Sequence, residues 1–374
     1  MMQTVAIFLD AYRELNARKL FWITLILSGV VVVSFALIGI NEQGLRLIMW
    51  DVPVPFLNTT VMSEETFYKT LFVELGIGFW LAWLATILAL ISTASIFPEF
   101  ISSGSIDLVL SKPIGRLRLF LTKYATGLLF VGLQVAIFSV ASFLVLGLKG
   151  GAWEPGILLA VPLVVVFFSY LFSICVLLGL ATRSTIAALL LTLLIWFLIF
   201  SVHATESGIL AFKLLTEQKV TALESRISSY EGTLQGLGKD ANEPSQRRAA
   251  SIRHRLEDRR SEVTDTKATL RKIEIAHRAA LGVKTVLPKT TETIALLERW
   301  LIDLAELPAP ANNDDSTIER LAESGAFTPD PEQLQLDAVE AIRGRSVGWV
   351  LGTSLAFEAG LLALAGGLFC RRDY

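Results

Sequence analysis

Six apolar stretches, each long enough to cross a lipid bilayer, limit what this chain can fold into. They run from about Leu20–Ile40, Thr70–Phe97, Leu119–Leu148, Ile157–Leu180, Thr185–Ala204 and Val347–Phe369. A helix needs about 20 such residues to span the hydrocarbon core, and in lipid only helices or closed barrels satisfy their own backbone. The fourth and fifth stretches are separated only by Ala181-Thr182-Arg183-Ser184, which predicts a tight helical hairpin. Trp22, Trp80, Trp83 and Trp349 are expected near the headgroup zone, which suits an amphipathic indole.

Charge divides the chain in two. Residues 205–345 hold 20 Lys/Arg and 23 Asp/Glu, and the rest holds only 13 and 12. The formal net charge of -2 gives no sign of nucleic-acid binding, and none is expected. Outside the charged insert, Arg13, Arg18, Lys19, Lys112, Arg116, Arg118, Lys123, Arg183, Arg371 and Arg372 fall on one side of the six spans. Arg46, Lys69 and Lys149 fall on the other. The positive-inside rule then places both termini in the cytoplasm and 205–345 outside. This suits a bacterial inner membrane. Residues 1–19 are too polar for a cleaved signal, and no small-x-small site follows. Val5, Ile7, Phe8, Ala11, Tyr12 and Leu15 share one helical face, which predicts a cytoplasmic interfacial helix; a short soluble extension is the plainer reading.

The fold expected is therefore an all-α membrane protein. Six transmembrane helices follow the interfacial helix 1–19. Spans one to five occupy 20–204, the helical insert 205–345, and the sixth span and tail 346–374. Within the insert, Val220, Leu223, Ile227, Tyr230, Leu234 and Leu237 are spaced as an a/d seam. Ile252, Leu256, Val263, Leu270 and Ile273 form a second seam, interrupted by Arg259 and Thr266. Turn formers lie between them from Gly236 to Gln246, so the pair predicts an antiparallel coiled-coil hairpin over about 216–281. Because no proline falls between Pro162 and Pro244, the fifth span can run on unbroken into the first arm. A helix over Thr291–Leu304 has Ile294, Leu297, Leu301 and Leu304 on one face; a loop from Pro308 to Ser316 and a helix over Pro331–Ile342 follow. The insert reads either as a solvated spacer or as a module that receives a partner or substrate.

Catalytic constellations are missing. No Gly-x-x-x-x-Gly-Lys-Ser/Thr loop is present, so the chain is not expected to be an ATPase or another enzyme. His203, His254 and His277 lack metal-ligand spacing and are expected to be solvated or capping. Cys175 and Cys370 lie in or beside spans and define no disulfide framework. No metal site is expected. Polar groups inside spans are costly and often functional. Glu358, between Phe357 and Ala359 near the middle of the sixth span, is the foremost; Glu74 and Gln134 are lesser cases. Glu358 reads as a carboxyl that is protonated, paired inside the bundle or facing a substrate path. Gly360, Gly366 and Gly367 permit close helix approach nearby.

The stretch between the second and third spans is the most informative. The second span is expected to end at Pro98, and a short helix to begin near Ser103 with Ile106, Val109 and Leu110 on one side. Pro113 ends it, and Arg116 and Lys123 flank the next span. The run Glu99…Gly104…Leu108-Val109-Leu110-Ser111-Lys112-Pro113…Arg116…Lys123 resembles the pattern of ABC-2 type export permeases, over roughly 1–204 and 346–374 but not over the insert. The resemblance implies a permease subunit that pairs with a second permease copy, as a homodimer or with a similar chain, and with separate ATPase subunits. Those subunits would bind ATP and Mg, and this chain would carry no cofactor. It implies a coupling segment over about 98–118, with Glu99, Ser103, Gly104, Ile106, Asp107, Leu110, Ser111, Pro113 and Arg116 at the ATPase interface. Membrane lipid and a possible extracytoplasmic protein would be its other partners. The competing reading is a non-transport membrane scaffold or sensor that grips an outside partner with the hairpin.

Overall fold

The computed structural model describes residues 19–47, 50–53, 59, 62–102, 115–151, 153–237, 243–302, 327 and 329–371. The expected interfacial helix 1–19 lies outside them apart from Lys19. So do the loop Pro308–Ser316 and seven of the proposed coupling residues: Ser103, Gly104, Ile106, Asp107, Leu110, Ser111 and Pro113.

Among the described residues six helices are long and apolar enough to cross a membrane, and the chain is a multi-pass membrane protein. The first is α1, Lys19–Leu37. It stops three residues short of the expected Ile40, because Ile38–Asn41 turns into a strand. This strand, β1, pairs with β2 (Gly44–Leu47), which pairs with β3 (Trp50–Pro53) in a small antiparallel sheet. The β1–β2 turn is set locally. Asn41 Oδ1 accepts from the backbone of Gln43 and Gly44, and Gly44 takes φ 142°, a value that favours glycine.

The second span begins as α2, Glu64–Leu71, capped by Ser63, whose side chain accepts from the Thr66 backbone. It winds on as a π-helix through Phe72–Ala85 and returns to α-helix in α3, Thr86–Thr93. The break falls at Ala94–Ser95, not at Pro98 as the sequence suggests. A new short helix, α4, covers Ile96–Ser102 and carries Pro98 in its first turn. There the missing N–H is one of the four that lack an intrahelical partner anyway. The third span is α5, Arg116–Lys149, and a 3-10 turn over Pro155–Leu159 leads into α6, Ala160–Thr182. Arg183 in the left-handed region (φ 55°) makes the hairpin into α7, Thr185–Leu237. As expected, the fifth span and the first arm of the insert are one helix. Then follow α8 (Glu243–Val286), α9 (Thr290–Leu301), α10 (Pro331–Arg343) and α11 (Val347–Arg371).

The chain separates into two compact units. The larger takes residues 1–200, 285–308 and 346–374. Its hub is α6, most of which is buried against α5, α11, α9 and α4. Phe168, Phe172, Tyr170 and Leu171 fill its centre, and such a helix, apolar on every side, is stable only when surrounded. By contrast, only a small part of the apolar windows of α1 and α11 is buried. Trp80, expected at an interface, is instead buried and donates to Ser28 Oγ at 3.1 Å. Helix α9 groups with this bundle rather than with the rest of the insert. Leu296, Leu297 and Leu301 are buried, and the helix packs on α6 and α11.

The smaller unit takes 201–284 and 309–345. Ion pairs link Glu231 to Arg260 and Glu224 to Lys267, both at 2.6 Å, so partner numbers run in opposite senses and α7 and α8 lie antiparallel. Val220, Leu223, Leu256 and Val263 from the two expected seams are buried between them.

Candidate functional site

Glu358 lies 8% exposed on the inward face of α11, one turn from the fully buried Ser354. Its partners among the described residues are hydroxyls. Tyr124 of α5 donates to Oε1 at 2.8 Å, and Ser169 of α6 donates to Oε2 at 2.7 Å. Each hydroxyl also reaches a backbone carbonyl: Tyr124 that of Ser169 at 3.1 Å, Ser169 that of Val166 at 2.8 Å. Every hydroxyl proton therefore has two acceptors. An ionised carboxylate can accept twice; a neutral carboxyl can donate once while a hydroxyl turns to its carbonyl. The node closes its hydrogen bonds in either state, so it can take up or release a proton without leaving a buried polar atom unpaired. The Tyr124 ring is fixed by stacking on Phe172 at 5.2 Å. Gly127 makes room for that ring, since a Cβ there would lie 2.7 Å from Phe172. Of the three glycines near Glu358, only Gly366 meets a neighbouring helix, beside Leu117 and Phe120; Gly360 and Gly367 face open space.

Above this node, Ser354 Oγ accepts from the backbone N–H of Lys289, at the α8–α9 junction, at 2.9 Å. Lys289 is fully buried. Its Nζ donates to the carbonyls of Thr285 and Leu287 and lies 4.6 Å from the centre of the Trp349 ring. It thus occupies the carbonyl end of α8, where a cation is favoured by the helix dipole, and ties that end to α11.

The flanks of the expected coupling segment are also built into the bundle. In α4, Glu99 is exposed, and Phe97 packs between Phe120 of α5 and Phe369 of α11. Pro98 meets Gly179 of α6, where a Cβ would stand 3.3 Å from the proline ring. Arg116 donates to the carbonyl of Cys370 at 3.0 Å and caps the last turn of α11. Lys123 sits 5.0 Å over the ring of Phe100. These two cations therefore join elements, a role beyond marking a membrane side. Among the lesser candidates, Gln134 is buried and makes a long 3.4 Å contact to the Phe21 carbonyl, and Glu74 is exposed.

The smaller unit contains a cluster that sequence reading missed. Glu206 is fully buried. Its carboxylate takes Lys284 Nζ at 2.5 Å, Arg345 Nη2 at 2.5 Å and His277 Nε2 at 3.0 Å. Burial alone pushes this carboxyl up. The hydrogen bond and charge of Lys284 and the charge of Arg345 outweigh it and hold the group below its ordinary value. His277 is thus a hydrogen-bond partner of this carboxylate rather than a solvated residue. His203 is buried as well, and only His254 is exposed, 3.9 Å from Asp258. Among the described residues no group of His, Cys, Asp and Glu could hold a metal.

A family model described as a protein of unknown function, DUF2705, matches residues 25–215, just over half of the chain. The chain belongs to this family. No curated protein and no solved structure matches it. The DUF2705 stretch takes in Glu99, Arg116, Tyr124, Ser169 and Glu206 and ends before Glu358, so the node joins residues within the matched stretch to one beyond it.

Proposed function

We propose that this chain is the membrane-spanning subunit of an ABC exporter of the ABC-2 type, driven by separate ATPase subunits that bind ATP and Mg. The observation that carries the reading is α4. It is broken from the second span at Ala94–Ser95 and packed through Phe97 and Pro98 onto α5, α6 and α11. A load applied to the adjoining 103–114 segment would reach three spans at once through this short helix. Arg116 and Lys123 fasten the far side of the same segment to α11 and α4. The chain itself has no phosphate loop and performs no hydrolysis. The distribution of Lys and Arg supports cytoplasmic termini and an outward insert in a bacterial inner membrane.

Two outputs fit. One is export of a substrate past the spans. The other is movement of the outward coiled-coil hairpin, working on an extracytoplasmic partner. The contact from Ser354 to Lys289 favours including the second, since α11 is tied there to the last turn of α8. The scaffold or sensor reading remains the competitor, resting on the charged hairpin alone.

The test is co-expression with candidate ATPase subunits from the same genome, followed by isolation in detergent, alongside a Glu99→Ala/Asp107→Lys variant. An ATPase retained by the native chain and lost from the variant is the expected result. If the native chain retains none, the permease reading falls and the scaffold reading takes its place.

A further inference from the structure

The end of α1 carries a cavity of about 400 Å³ within the larger unit, a volume in the range of small-ligand sites. Leu37, Arg46, Glu64, Tyr68 and Lys149 line it, together with the backbone of β1. Its walls are fixed. The Tyr68 hydroxyl donates to the Ile38 carbonyl at 3.0 Å, and its ring lies so close to Gly150 that a Cβ there would stand 2.7 Å away. Its charges are not matched to one another. Among the described residues, Arg46, Lys149 and Glu64 make no ion pair, whereas nearby Lys69 is paired with both Glu65 and Glu154. Two cations and one carboxylate thus face a common space without closing on each other.

From the mouth of this cavity an apolar track runs along α1. Ile23, Ile26, Val30, Val33 and Leu37 recur at alternating three- and four-residue steps and are 39–65% exposed when Leu27 beside them is included. Leu37 belongs to both the track and the cavity. An occupant that meets all of this has a phosphate for Arg46 and Lys149, an ammonium for Glu64, and a hydrocarbon tail for the track. We propose that this cavity binds the headgroup of a zwitterionic aminophospholipid, with an acyl chain laid along the exposed face of α1. The inference rests on the membrane-spanning character of α1 and stands apart from the transport reading.

The test uses the full chain in vesicles holding equal amounts of phosphatidylethanolamine, phosphatidylglycerol and phosphatidylcholine, followed by gentle extraction and mass measurement of retained lipid. The native chain is expected to retain phosphatidylethanolamine several-fold over the other two. Arg46→Gln/Lys149→Gln is expected to reduce that retention roughly tenfold, the scale of losing charge-assisted bonds to a phosphate. Glu64→Gln is expected to keep lipid but lose the preference over phosphatidylglycerol. All three side chains are exposed, so the variants should fold; an unchanged melting temperature checks this. Equal retention of the three lipids by the native chain overturns the proposal. So does unchanged retention in the double variant, or stabilisation by inorganic phosphate without retained lipid. A double variant that changes the oligomeric state and leaves lipid untouched assigns this face to a second copy and overturns it too.

Discussion

Glu206 and Glu358, buried glutamates in different compact units, solve the same physical problem in opposite ways. Glu206 in the smaller unit is surrounded by Lys284, Arg345 and His277. Glu358, between the spans, meets only the hydroxyls of Tyr124 and Ser169 among the described residues. Burying a charge is tolerable when cations and hydrogen bonds compensate it, and the first site does this fully. The second avoids the need for a cation, because its hydrogen bonds close for the neutral carboxyl as well. One arrangement locks a charge in place; the other leaves room for a proton to come and go.

The comparison breaks most sharply under neutral replacement. Glu206→Gln removes the buried carboxylate that Lys284 and Arg345 share and should destabilise the smaller unit by about 3–5 kcal/mol. Limited proteolysis of the purified chain reads this as early cutting within 201–284, while the spans stay protected. The equivalent Glu358→Gln preserves two hydrogen bonds and should leave the melting temperature within a few degrees of native. If the two variants behave alike, the contrast fails.

Acid sharpens it next. The folded carboxyl of Glu206 is held below its ordinary value, so its stabilising effect is complete above the ordinary carboxylate range. That effect is lost as pH falls through the depressed value. Protease resistance of the smaller unit should decline on acidification below about pH 4, near the unperturbed glutamate value. The same titration on Glu206→Gln should lose this component of the decline.

A smaller effect follows from removing hydrogen-bonding capacity altogether. Glu358→Leu strands the Tyr124 and Ser169 hydroxyls, although each still has a backbone carbonyl in reach. A loss of about 1–3 kcal/mol is expected, at the lower end because of those alternatives. Thermal unfolding in detergent measures it, and a loss equal to that of Glu206→Gln would contradict the hydroxyl-only picture. The smallest effect belongs to the exposed rungs of the hairpin. Arg260→Gln removes the pair to Glu231, both well solvated, and should cost less than about 1 kcal/mol.

Legibility in the sequence followed the range of the interaction. Spans, the unbroken α7, the 181–184 hairpin and the two seams all rest on local periodicity and on the placement of proline, and they are readable from it. Glu358 was legible as a candidate because a carboxyl stands out in an apolar run. Its partners were not, since Tyr124 and Ser169 are 234 and 189 residues away. The Glu206 cluster was invisible for the same reason: its partners lie 71, 78 and 139 residues along the chain. The small sheet after α1 was hidden differently. Ile38-Gly-Ile40 reads as the tail of an apolar span, and only Asn41 and Gly44 hint at the turn that converts it to strand. Pro98 misled because proline both ends helices and begins them; the position of Ala94–Ser95 decided which.

The most direct test of the permease account places a photo-crosslinking residue at Ile106 in the full chain, expressed in its own membrane. The account predicts a covalent adduct with a protein carrying an ATP-binding phosphate loop. No such adduct at Ile106, with the same probe at Thr233 in the hairpin capturing an ATPase instead, would contradict it.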